Sequence, residues 1–257
     1  MGGMRKMNGS FWSRIRHEVT EAVYPPTCAG CGLRGTWLCD LCEQHIPRLR
    51  DLPLCDRCGI PRWKGRCGCP TLHRNLVTVR SVYPYGDWLP NAIHAIKYED
   101  EFARAEMFGE QLAEEITALG PVDALVPVPL HPKKQRDRGY NQAEKLAIAA
   151  ARHLEIPVKS VVVRRRHTVS QVTLSGRERA SNMDGAFALD PADVPSWDAR
   201  FVLIDDVRTT GSTLNACATA LAGAGITRVT AVTVAADLFP EHLAYVMELG
   251  GALRPAR

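Results

Sequence analysis

Cysteine is the residue type that most constrains the fold of this chain. Eight of the nine cysteines lie in a short N-terminal stretch, in four close pairs with the sequences CAGC, CDLC, CDRC and CGC. Paired cysteines of this kind form turns that direct two sulfur atoms at one tetrahedral metal ion. The pairing therefore predicts a metal-binding region, and its candidate ligands are Cys28, Cys31, Cys39, Cys42, Cys55, Cys58, Cys67 and Cys69.

Zinc is the expected metal, with two structural ions for eight thiolates. An iron–sulfur cluster is the alternative, since cysteine-rich sets are ambiguous on spacing alone. Disulfides are disfavoured without a secretion signal, and a redox pair would not need four repeats. The spacing leaves open whether neighbouring or alternate pairs share an ion. It also leaves His73 as an alternative ligand, because a single residue separates Cys67 from Cys69.

The composition is that of an ordinary globular protein. Of the 257 residues, 46% are hydrophobic and 23% are charged, and the net charge of +4 permits a polyanionic partner without requiring one. Charged side chains interrupt the apolar residues of the first thirty positions, so the sequence predicts neither a secretion signal nor membrane insertion. We expect a cytoplasmic protein, and the sequence leaves its oligomeric state open.

The order of predicted elements indicates an α/β fold. After Thr71, apolar segments typical of strands alternate with segments of helical periodicity, which favours a parallel sheet covered by helices on both faces. The five predicted strands are LVTVRSVYPY, VDALVPVP, VKSVVVRR, RFVLID and RVTAVTVAA. We expect four regions: a leader and amphipathic helix over 1–24, a metal-binding domain over 25–71, an α/β domain over 72–237 and a helical tail over 238–257.

The segment IDDVRTTGST carries the clearest chemistry. An apolar strand runs into Asp205 and Asp206, and a loop of hydroxyl side chains then leads into a helix. At the carboxyl end of a parallel strand, the amides of Thr209–Thr213 can bind an anion, and Gly211 permits close backbone approach. The two acids repel a phosphate but accept hydrogen bonds from vicinal hydroxyls, which suggests a ribose 5-phosphate. The alternative is a capped turn without a ligand.

Longer segments give the chain a family resemblance. VLIDDVRTTGSTL is similar to the phosphoribosyl pyrophosphate (PRPP) motif of type I phosphoribosyltransferases. With the paired cysteines, IKYEDE, PVPLHPKKQRDRGYNQA and RRRHTVSQVTLSGRERASNMDGAF, the chain resembles the ComF family of competence-associated phosphoribosyltransferase-like proteins. The resemblance implies a type I phosphoribosyltransferase fold, in which helices flank a parallel sheet, with a small N-terminal cysteine-rich zinc-ribbon domain.

The resemblance also implies roles for individual residues. Asp205 and Asp206 match the acidic pair that holds the ribose hydroxyls, and Arg166 joins them as a candidate catalytic residue. The implied PRPP-binding segment is Asp205, Asp206, Val207, Arg208, Thr209, Thr210, Gly211, Ser212 and Thr213. The implied pyrophosphate loop is Pro129, Leu130 and His131. A flexible loop over the site would supply Arg166, Gln171, Arg177, Arg179 and Asn182.

Several basic residues have more than one interpretation. Arg208 stands where the motif more commonly has an apolar or small residue, and it either contacts phosphate or points to solvent. His131 either contacts the leaving group or lies on the surface. Lys97 is a further candidate for an anion contact. Two basic clusters, 133–138 and 164–167, are solvated surfaces by default and anion contacts if the resemblance holds.

Two functions follow from these observations. In the first, the protein binds PRPP with Mg²⁺, held chiefly by oxygens of the ligand, and transfers the phosphoribosyl group to a nitrogen nucleophile with release of pyrophosphate. In the second, the fold binds a phosphoribosyl ligand without turnover, and the protein binds single-stranded DNA during uptake or repair, as the competence association implies. The sequence identifies no base that would activate an acceptor.

Overall fold

The fold is described for most of the chain. The computed structural model describes residues 25–62, 67, 69, 72, 74–98, 102–164, 185–190 and 198–252. Within these residues the chain forms two compact units, with the boundary between His45 and Ile46. This boundary separates the two groups of cysteines, whereas the sequence analysis places both in 25–71. The N-terminal helix expected before Pro25 lies outside the described residues, and so does the end of the C-terminal tail.

Strands and helices alternate along the larger unit. Its described strands are β1 (Leu76–Pro84), β2 (Ala124–Pro127), β3 (Val162–Arg164), β4 (Phe187–Leu189), β5 (Phe201–Arg208) and β6 (Val229–Ala236). The described α-helices are α1 (Asp40–Glu43) in the smaller unit, followed by α2 (Leu89–Tyr98), α3 (Phe102–Thr117), α4 (Pro132–Arg138), α5 (Gln142–Leu154), α6 (Ser212–Ala222) and α7 (Pro240–Ala252). Among the described residues, no helix has the length and apolar character needed to cross a membrane.

Four strands form a parallel sheet in the order β1-β6-β5-β2. Phe201 of β5 lies opposite Ala124 of β2 on one side and Val229 of β6 on the other. Because the strands are parallel, their carboxyl ends meet at one edge of the sheet, and β5 lies between two neighbours there. The predicted α/β class, with helices flanking a parallel sheet and a cysteine-rich N-terminal region, is confirmed.

Both faces of the sheet are covered, which explains why its strands read as nearly continuous apolar runs. Helices α3 and α5 pack against each other, α3 against β1 and β6, and α5 against β2 and β5. The opposite face contacts α6, and Leu214 of this helix shares one core with Phe201 and Leu203. The intervening Val202 lies outside that core, as the two-residue period of a strand requires.

Helices α3 and α5 approach closely at one glycine. A Cβ atom added to Gly109 of α3 would lie 2.7 Å from the Cβ atom of Ala149 on α5. No real pair of side chains packs at that distance, so the crossing of the two helices requires a residue without a side chain at this position. Both helices cover the face of the sheet that carries Val202.

Three elements differ from the expectation. Strand β5 continues past Ile204 to Arg208, because β6 pairs with its polar residues as well. The segment VKSVVVRR is not one strand: Val158 forms a single parallel bridge with Leu125, and β3 pairs antiparallel with β4 outside the main sheet. Helix α4 was not predicted, since its sequence PKKQRDR has no apolar residue that would show a helical period.

Candidate functional site

The acidic pair and the predicted pyrophosphate segment lie on neighbouring strands. The amide of Val128, just after β2, donates to the carbonyl of Ile204 at 2.9 Å. The chain therefore enters Pro129–His131 next to the point where β5 passes through Asp205 and Asp206. Parallel pairing brings together two segments that are more than seventy residues apart in the sequence.

Asp206 is the buried member of the acidic pair. Its side chain forms an ion pair with the Lys97 ammonium, which reaches the site from α2, and its Oδ1 accepts from the amide of Val207 at 2.7 Å. Burial alone would raise the pKa of Asp206, but the Lys97 charge lowers it below the ordinary value. Asp206 is therefore held as a carboxylate, which only accepts hydrogen bonds.

Asp205 lies in a different environment. It is half-buried, and its Oδ1 accepts from the amide of Asp206 at 2.9 Å. Burial raises the pKa of Asp205 well above its usual range, and the adjacent Asp206 carboxylate raises it further. Two cations interact with Asp205: the charge of Lys97 opposes the rise in its pKa, and the charge of Asp205 acts on Arg164 at the end of β3, where burial lowers the pKa of the guanidinium. The guanidinium of Arg164 lies over the ring of Phe187, 5.3 Å from its centroid.

The loop after β5 has the geometry of an anion site. Gly211 adopts a φ of +79°, in the left-handed region, and α6 begins at the next residue. The hydroxyls of Thr210 and Ser212 lie 3.0 Å apart, and Thr209 is exposed while Thr213 is half-buried. The first amides of a helix have no partner within it, and the helix dipole favours negative charge there. A phosphate is therefore a suitable acceptor for these amides.

The segment Pro129–His131 is fixed at both ends. His131 is buried, and its Nδ1 accepts from the amide of Lys133 at 3.1 Å, which caps the start of α4. The surface interpretation of His131 is therefore wrong, because the ring is used as a helix cap. At the other end, the side-chain nitrogen of Asn141 donates to the carbonyl of Val128 at 3.0 Å.

Arg208 makes a contact that the sequence did not predict. Its side chain is 5% exposed, and its NH1 donates to the backbone carbonyl of Cys58. The guanidinium thus contacts the second cysteine group and does not point to solvent. No local pattern predicts this contact, because Arg208 and Cys58 are 150 residues apart.

Sequence reasoning missed two residues that shape the site. Asn141 accepts from the amide of Ala143 and so caps α5, in addition to holding Val128. The hydroxyl of Tyr140 donates to the carbonyl of Ile96, the residue before Lys97. An asparagine directly before a helical segment is a recognisable capping signal, but the contact of Tyr140 with α2 leaves no trace in local sequence.

The predicted flexible loop is not part of the described residues. Its candidate contacts, which include the candidate catalytic residue, all fall in 165–184: Arg166, Gln171, Arg177, Arg179 and Asn182. Of the second basic cluster, only Arg164 is described. Its guanidinium interacts electrostatically with the Asp205 carboxyl. His73, the alternative metal ligand, is also outside the described residues.

The cysteines form two groups of four, each built from neighbouring pairs. The groups are Cys28, Cys31, Cys39 and Cys42 in the smaller unit, and Cys55, Cys58, Cys67 and Cys69 in the larger unit. Within each group the sulfur atoms lie within 4.8 Å of one another. This settles the open question of pairing in favour of neighbouring pairs, and it includes both Cys67 and Cys69.

The sulfur geometry fits a tetrahedral ion. The Sγ atoms of Cys28 and Cys39 are 3.7 Å apart, and those of Cys31 and Cys39 are 3.6 Å apart. A disulfide would need about 2 Å, whereas a tetrahedral zinc ion with bonds of about 2.3 Å spaces its sulfurs by roughly 3.8 Å. Both groups are thus compatible with a structural zinc ion.

The electrostatics of the groups also fit a cation. Burial would raise the pKa of Cys28, but backbone amides that include those of Cys31 and Cys39 lower it to about 6. In the same group, burial and then the sulfurs of neighbouring cysteines raise the pKa of Cys42 to about 12. The thiolate form of Cys28 is thus favoured, whereas that of Cys42 is opposed by the neighbouring sulfurs. A divalent ion at the centre of the group would remove that opposition.

Comparison with known proteins gives relatives over most of the chain. No protein-family model matches the sequence. Competence protein F of Haemophilus influenzae is 31% identical over 202 residues, which is 75% of this chain and 87% of that protein. DNA utilization protein YhgH of Escherichia coli is 32% identical over 194 residues, 70% of this chain and 82% of that protein.

More distant similarities were also found. Competence protein ComFC of Bacillus subtilis is 24% identical over 197 residues, 72% of this chain and 77% of that protein. Among solved structures, glutamine PRPP amidotransferase from B. subtilis matches 51% of this chain and 26% of its own, with 21% identity and a TM-score of 0.35. The extent and identity of the match to Competence protein F show that the chain belongs to the ComF family of phosphoribosyltransferase-like proteins, with two N-terminal groups of four cysteines.

Proposed function

We propose that this protein binds PRPP, or a related phosphoribosyl ligand, together with Mg²⁺ at the carboxyl end of β5. The observation that supports this most strongly is the position of the buried Asp206 carboxylate. It is kept ionised by Lys97, it precedes the Gly211 turn by five residues, and it lies on the strand next to Pro129–His131. A sugar hydroxyl, its 5-phosphate and a pyrophosphate group would each find a partner at this edge.

Each part of the site would bind one part of the ligand. Asp206, and Asp205 beside it, would accept hydrogen bonds from the ribose hydroxyls, while the amides of Thr209–Thr213 would bind the 5-phosphate. The backbone of Pro129–His131 would face the pyrophosphate. Mg²⁺ would be held by the ligand's own oxygens and water, and it would offset the charge of the leaving pyrophosphate.

The reaction we propose is transfer of the phosphoribosyl group to a nitrogen nucleophile. The bond between C1 of the ribose and the pyrophosphate oxygen would break as a bond from C1 to nitrogen forms. Positive charge would then develop on the sugar, where the carboxylates lie, and negative charge on the pyrophosphate, where cations are needed. Arg166, Arg177 and Arg179 of the predicted flexible loop remain proposals for those cations, with Gln171 and Asn182 as neutral contacts.

Calorimetry with Mg²⁺ and PRPP tests the proposal directly. We expect heat of binding with the wild-type protein and a loss of affinity of at least tenfold in Asp206→Asn, which removes the charged acceptor. Asp237→Asn is the matched control, because this carboxylate is exposed just after β6, at the same edge of the sheet. Release of pyrophosphate with a panel of nitrogenous bases then tests turnover, and the absence of heat with wild type would refute ligand binding.

A second function is supported by helix α4 and by the relatives. Lys133, Lys134 and Arg136 of this helix are exposed, so the helix presents a basic surface. The names of relatives refer to competence and to DNA utilization. We propose as the alternative that this surface binds the phosphates of single-stranded DNA during uptake or repair, with the phosphoribosyl site serving for ligand binding only.

The salt dependence of DNA binding distinguishes this alternative. For single strands the logarithm of the binding constant falls with the logarithm of salt concentration by about 0.7 for each phosphate contact. We expect Lys133→Gln/Lys134→Gln to reduce that slope by about 1.4. Lys159→Gln/Arg228→Gln is the control at the opposite edge, where β2 and β6 begin. Equal slopes in the two double variants would remove α4 from the DNA-binding surface.

A further inference from the structure

The guanidinium of Arg208 is a buried cation that lacks an ordinary counter-ion. The side chain is 5% exposed, and in the described part of the chain no carboxylate lies within 4 Å of it. A buried charge is costly unless it is paired and hydrogen-bonded. The hydrogen bond is supplied by the carbonyl of Cys58. Burial lowers the pKa of the Arg208 guanidinium, and the sulfurs of Cys58, Cys69 and Cys55 act in the opposite direction.

The second cysteine group is fixed to the sheet by its backbone. The carbonyl of Arg57 accepts from the amide of Val79 in the edge strand β1 at 2.8 Å. The backbone carbonyl of Asp56 accepts from the guanidinium of Arg80 at 2.9 Å. A Cβ atom on Gly59 would lie 2.3 Å from the carbonyl oxygen of Val79, so only glycine permits this approach. The turn that carries Cys55 and Cys58 is therefore held in place against β1, and so is the Cys58 carbonyl that binds Arg208.

A second contact joins this cysteine group to the phosphate loop. Leu72 is 8% exposed, and its amide donates to the carbonyl of Cys69 at 3.1 Å. Its Cδ2 would lie 3.3 Å from a Cβ atom on Gly211, so Leu72 packs directly against the turn. The cysteine group thus meets the loop Thr209–Thr213 at two points: Arg208 directly precedes the loop, and Leu72 contacts its central residue, Gly211.

The charge of a filled site suits Arg208. A divalent ion with four thiolates carries a net charge of −2, and groups that hydrogen-bond or pair with such a site orient it and raise its affinity. The dependence runs in both directions. Without the ion the four sulfurs would no longer be drawn to one centre, and the buried guanidinium would lose the net charge of the filled site beside it.

We propose that Arg208 is a positioning residue that couples metal binding at Cys55, Cys58, Cys67 and Cys69 to the conformation of the loop Thr209–Thr213. The metal site holds the guanidinium, the guanidinium holds the end of β5, and the loop that follows keeps its shape. Loss of this ion therefore loosens the loop. The consequence for PRPP binding rests on the function proposed above, whereas the coupling itself does not.

Release of zinc from the full-length holoprotein to excess chelator tests one direction of the coupling. We expect two ions, and we expect Arg208→Gln to speed the release of one of them at least tenfold, in line with the cost of losing an outer-shell partner. Cys31→Ser removes a ligand of the other group. It thereby identifies which phase of the zinc release belongs to which cysteine group. Arg208→Lys retains the charge without the planar fork and should restore part of the wild-type rate. Unchanged release of both ions in Arg208→Gln would overturn the proposal.

Hydrogen exchange tests the other direction without a ligand. In Arg208→Gln and in Cys69→Ser, the amides of 209–214 should exchange at least tenfold faster, while those of β6 keep their wild-type rates and report that the sheet is folded. In Cys31→Ser the loop should exchange as in wild type. If the amides of β6 also lose their protection in Arg208→Gln, the same comparison of loop exchange with β6 exchange is made in the milder variant Arg208→Lys. Wild-type exchange of the loop in every variant with an intact β6 would disprove the coupling.

Calorimetry separates this inference from the proposed function. If wild type gives heat with Mg²⁺ and PRPP, Arg208→Gln should bind at least tenfold more weakly, and equal binding would refute the coupling alone. If wild type gives no heat, the proposed function fails. The zinc-release and exchange results still decide the coupling in that case.

Discussion

At the scale of single residues, two adjacent carboxylates have been given different properties by their surroundings. Asp206 is paired with Lys97, which lowers its pKa, whereas burial and the neighbouring charge raise the pKa of Asp205. One acid is thus a fixed acceptor and the other takes up a proton more readily. Opposed pKa shifts in neighbouring groups are typical of functional sites, since a purely structural pair gains nothing from the repulsion.

The pH dependence of ligand binding should report the Lys97 charge. In Lys97→Gln the largest opposition to burial is gone and only the hydrogen bonds of Asp205 and the Val207 amide remain, so the pKa of Asp206 should rise and its carboxylate should be lost at a higher pH than in wild type. Below the raised pKa, affinity for the phosphoribosyl ligand should fall by about tenfold per pH unit. Calorimetry from pH 8 to pH 5 measures this, with Lys159→Gln as the control.

The same ion pair contributes to stability with a definite sign. The folded-state pKa of Asp206 is depressed, so its contribution is present above the unfolded-state value of about 4 and is lost as the pH falls through the folded-state value. Lys97→Gln should therefore flatten the acid limb of a plot of unfolding free energy against pH. Identical acid limbs and identical pH profiles of ligand binding in wild type and Lys97→Gln would contradict the conclusion that Lys97 keeps Asp206 ionised.

Gly211 should be the least replaceable residue of the loop. Gly211→Ala forces a side chain into φ +79° and puts its Cβ 3.3 Å from Cδ2 of Leu72, so either the turn or the Leu72 side chain must shift. Gly120→Ala is a matched control, because Gly120 has a φ of +88° and nothing within 4 Å. Both should lose about 1 kcal/mol of unfolding free energy to backbone strain. Only Gly211→Ala should also lose affinity for the phosphoribosyl ligand. Equal affinities in the two variants would argue against a role of the loop Thr209–Thr213 in binding that ligand.

At the scale of elements, the sequence predicted what is encoded locally. The buried strands and the helices after them have clear periods, and the acidic pair and the turn before α6 were recognisable from Asp205, Asp206 and Gly211, although β5 itself continues to Arg208. The separate β3–β4 pair was not predictable, because antiparallel pairing of Val162–Arg164 depends on a partner beyond a long intervening segment. The ion pair of Lys97 and the bond from Arg208 to Cys58 likewise depend on tertiary packing.

The crossing of α3 and α5 gives a prediction that helix propensity alone would reverse. Alanine favours a helix over glycine by about 1 kcal/mol, but the Cβ of Gly109→Ala would lie 2.7 Å from the Cβ of Ala149 and 2.9 Å from its carbonyl carbon. Overpacking of this kind costs about 1–3 kcal/mol. We expect net destabilisation of about 1 kcal/mol in urea unfolding. Glu110→Ala on the exposed side of α3 should change stability by less than ~0.5 kcal/mol, and a stabilised Gly109→Ala would show that the helices are further apart.

At the scale of the whole molecule, the two cysteine groups are embedded differently. In 25–45, the described part of the smaller unit, Cys28 is the single buried residue. In the larger unit, Cys55 and Cys58 belong to the same core as Leu76 of β1 and Leu214 of α6. A small segment without an apolar core depends on its metal for folding, whereas a group inside a large core adds to a fold that other contacts already support.

Metal removal should therefore have two distinct effects on the one chain. With excess chelator, amide exchange and proteolysis should reach the unfolded rate in 25–45, because the described part of this segment has no apolar core to support it without the ion. The sheet should remain folded, with a Tm lowered by several degrees as the Cys55 group loses its ion. Cys31→Ser should reproduce the first effect and Cys69→Ser the second, measured by exchange at 25–45 and by the main thermal transition. Retention of protection in 25–45 after both ions are gone would show that this segment has a source of stability other than its metal.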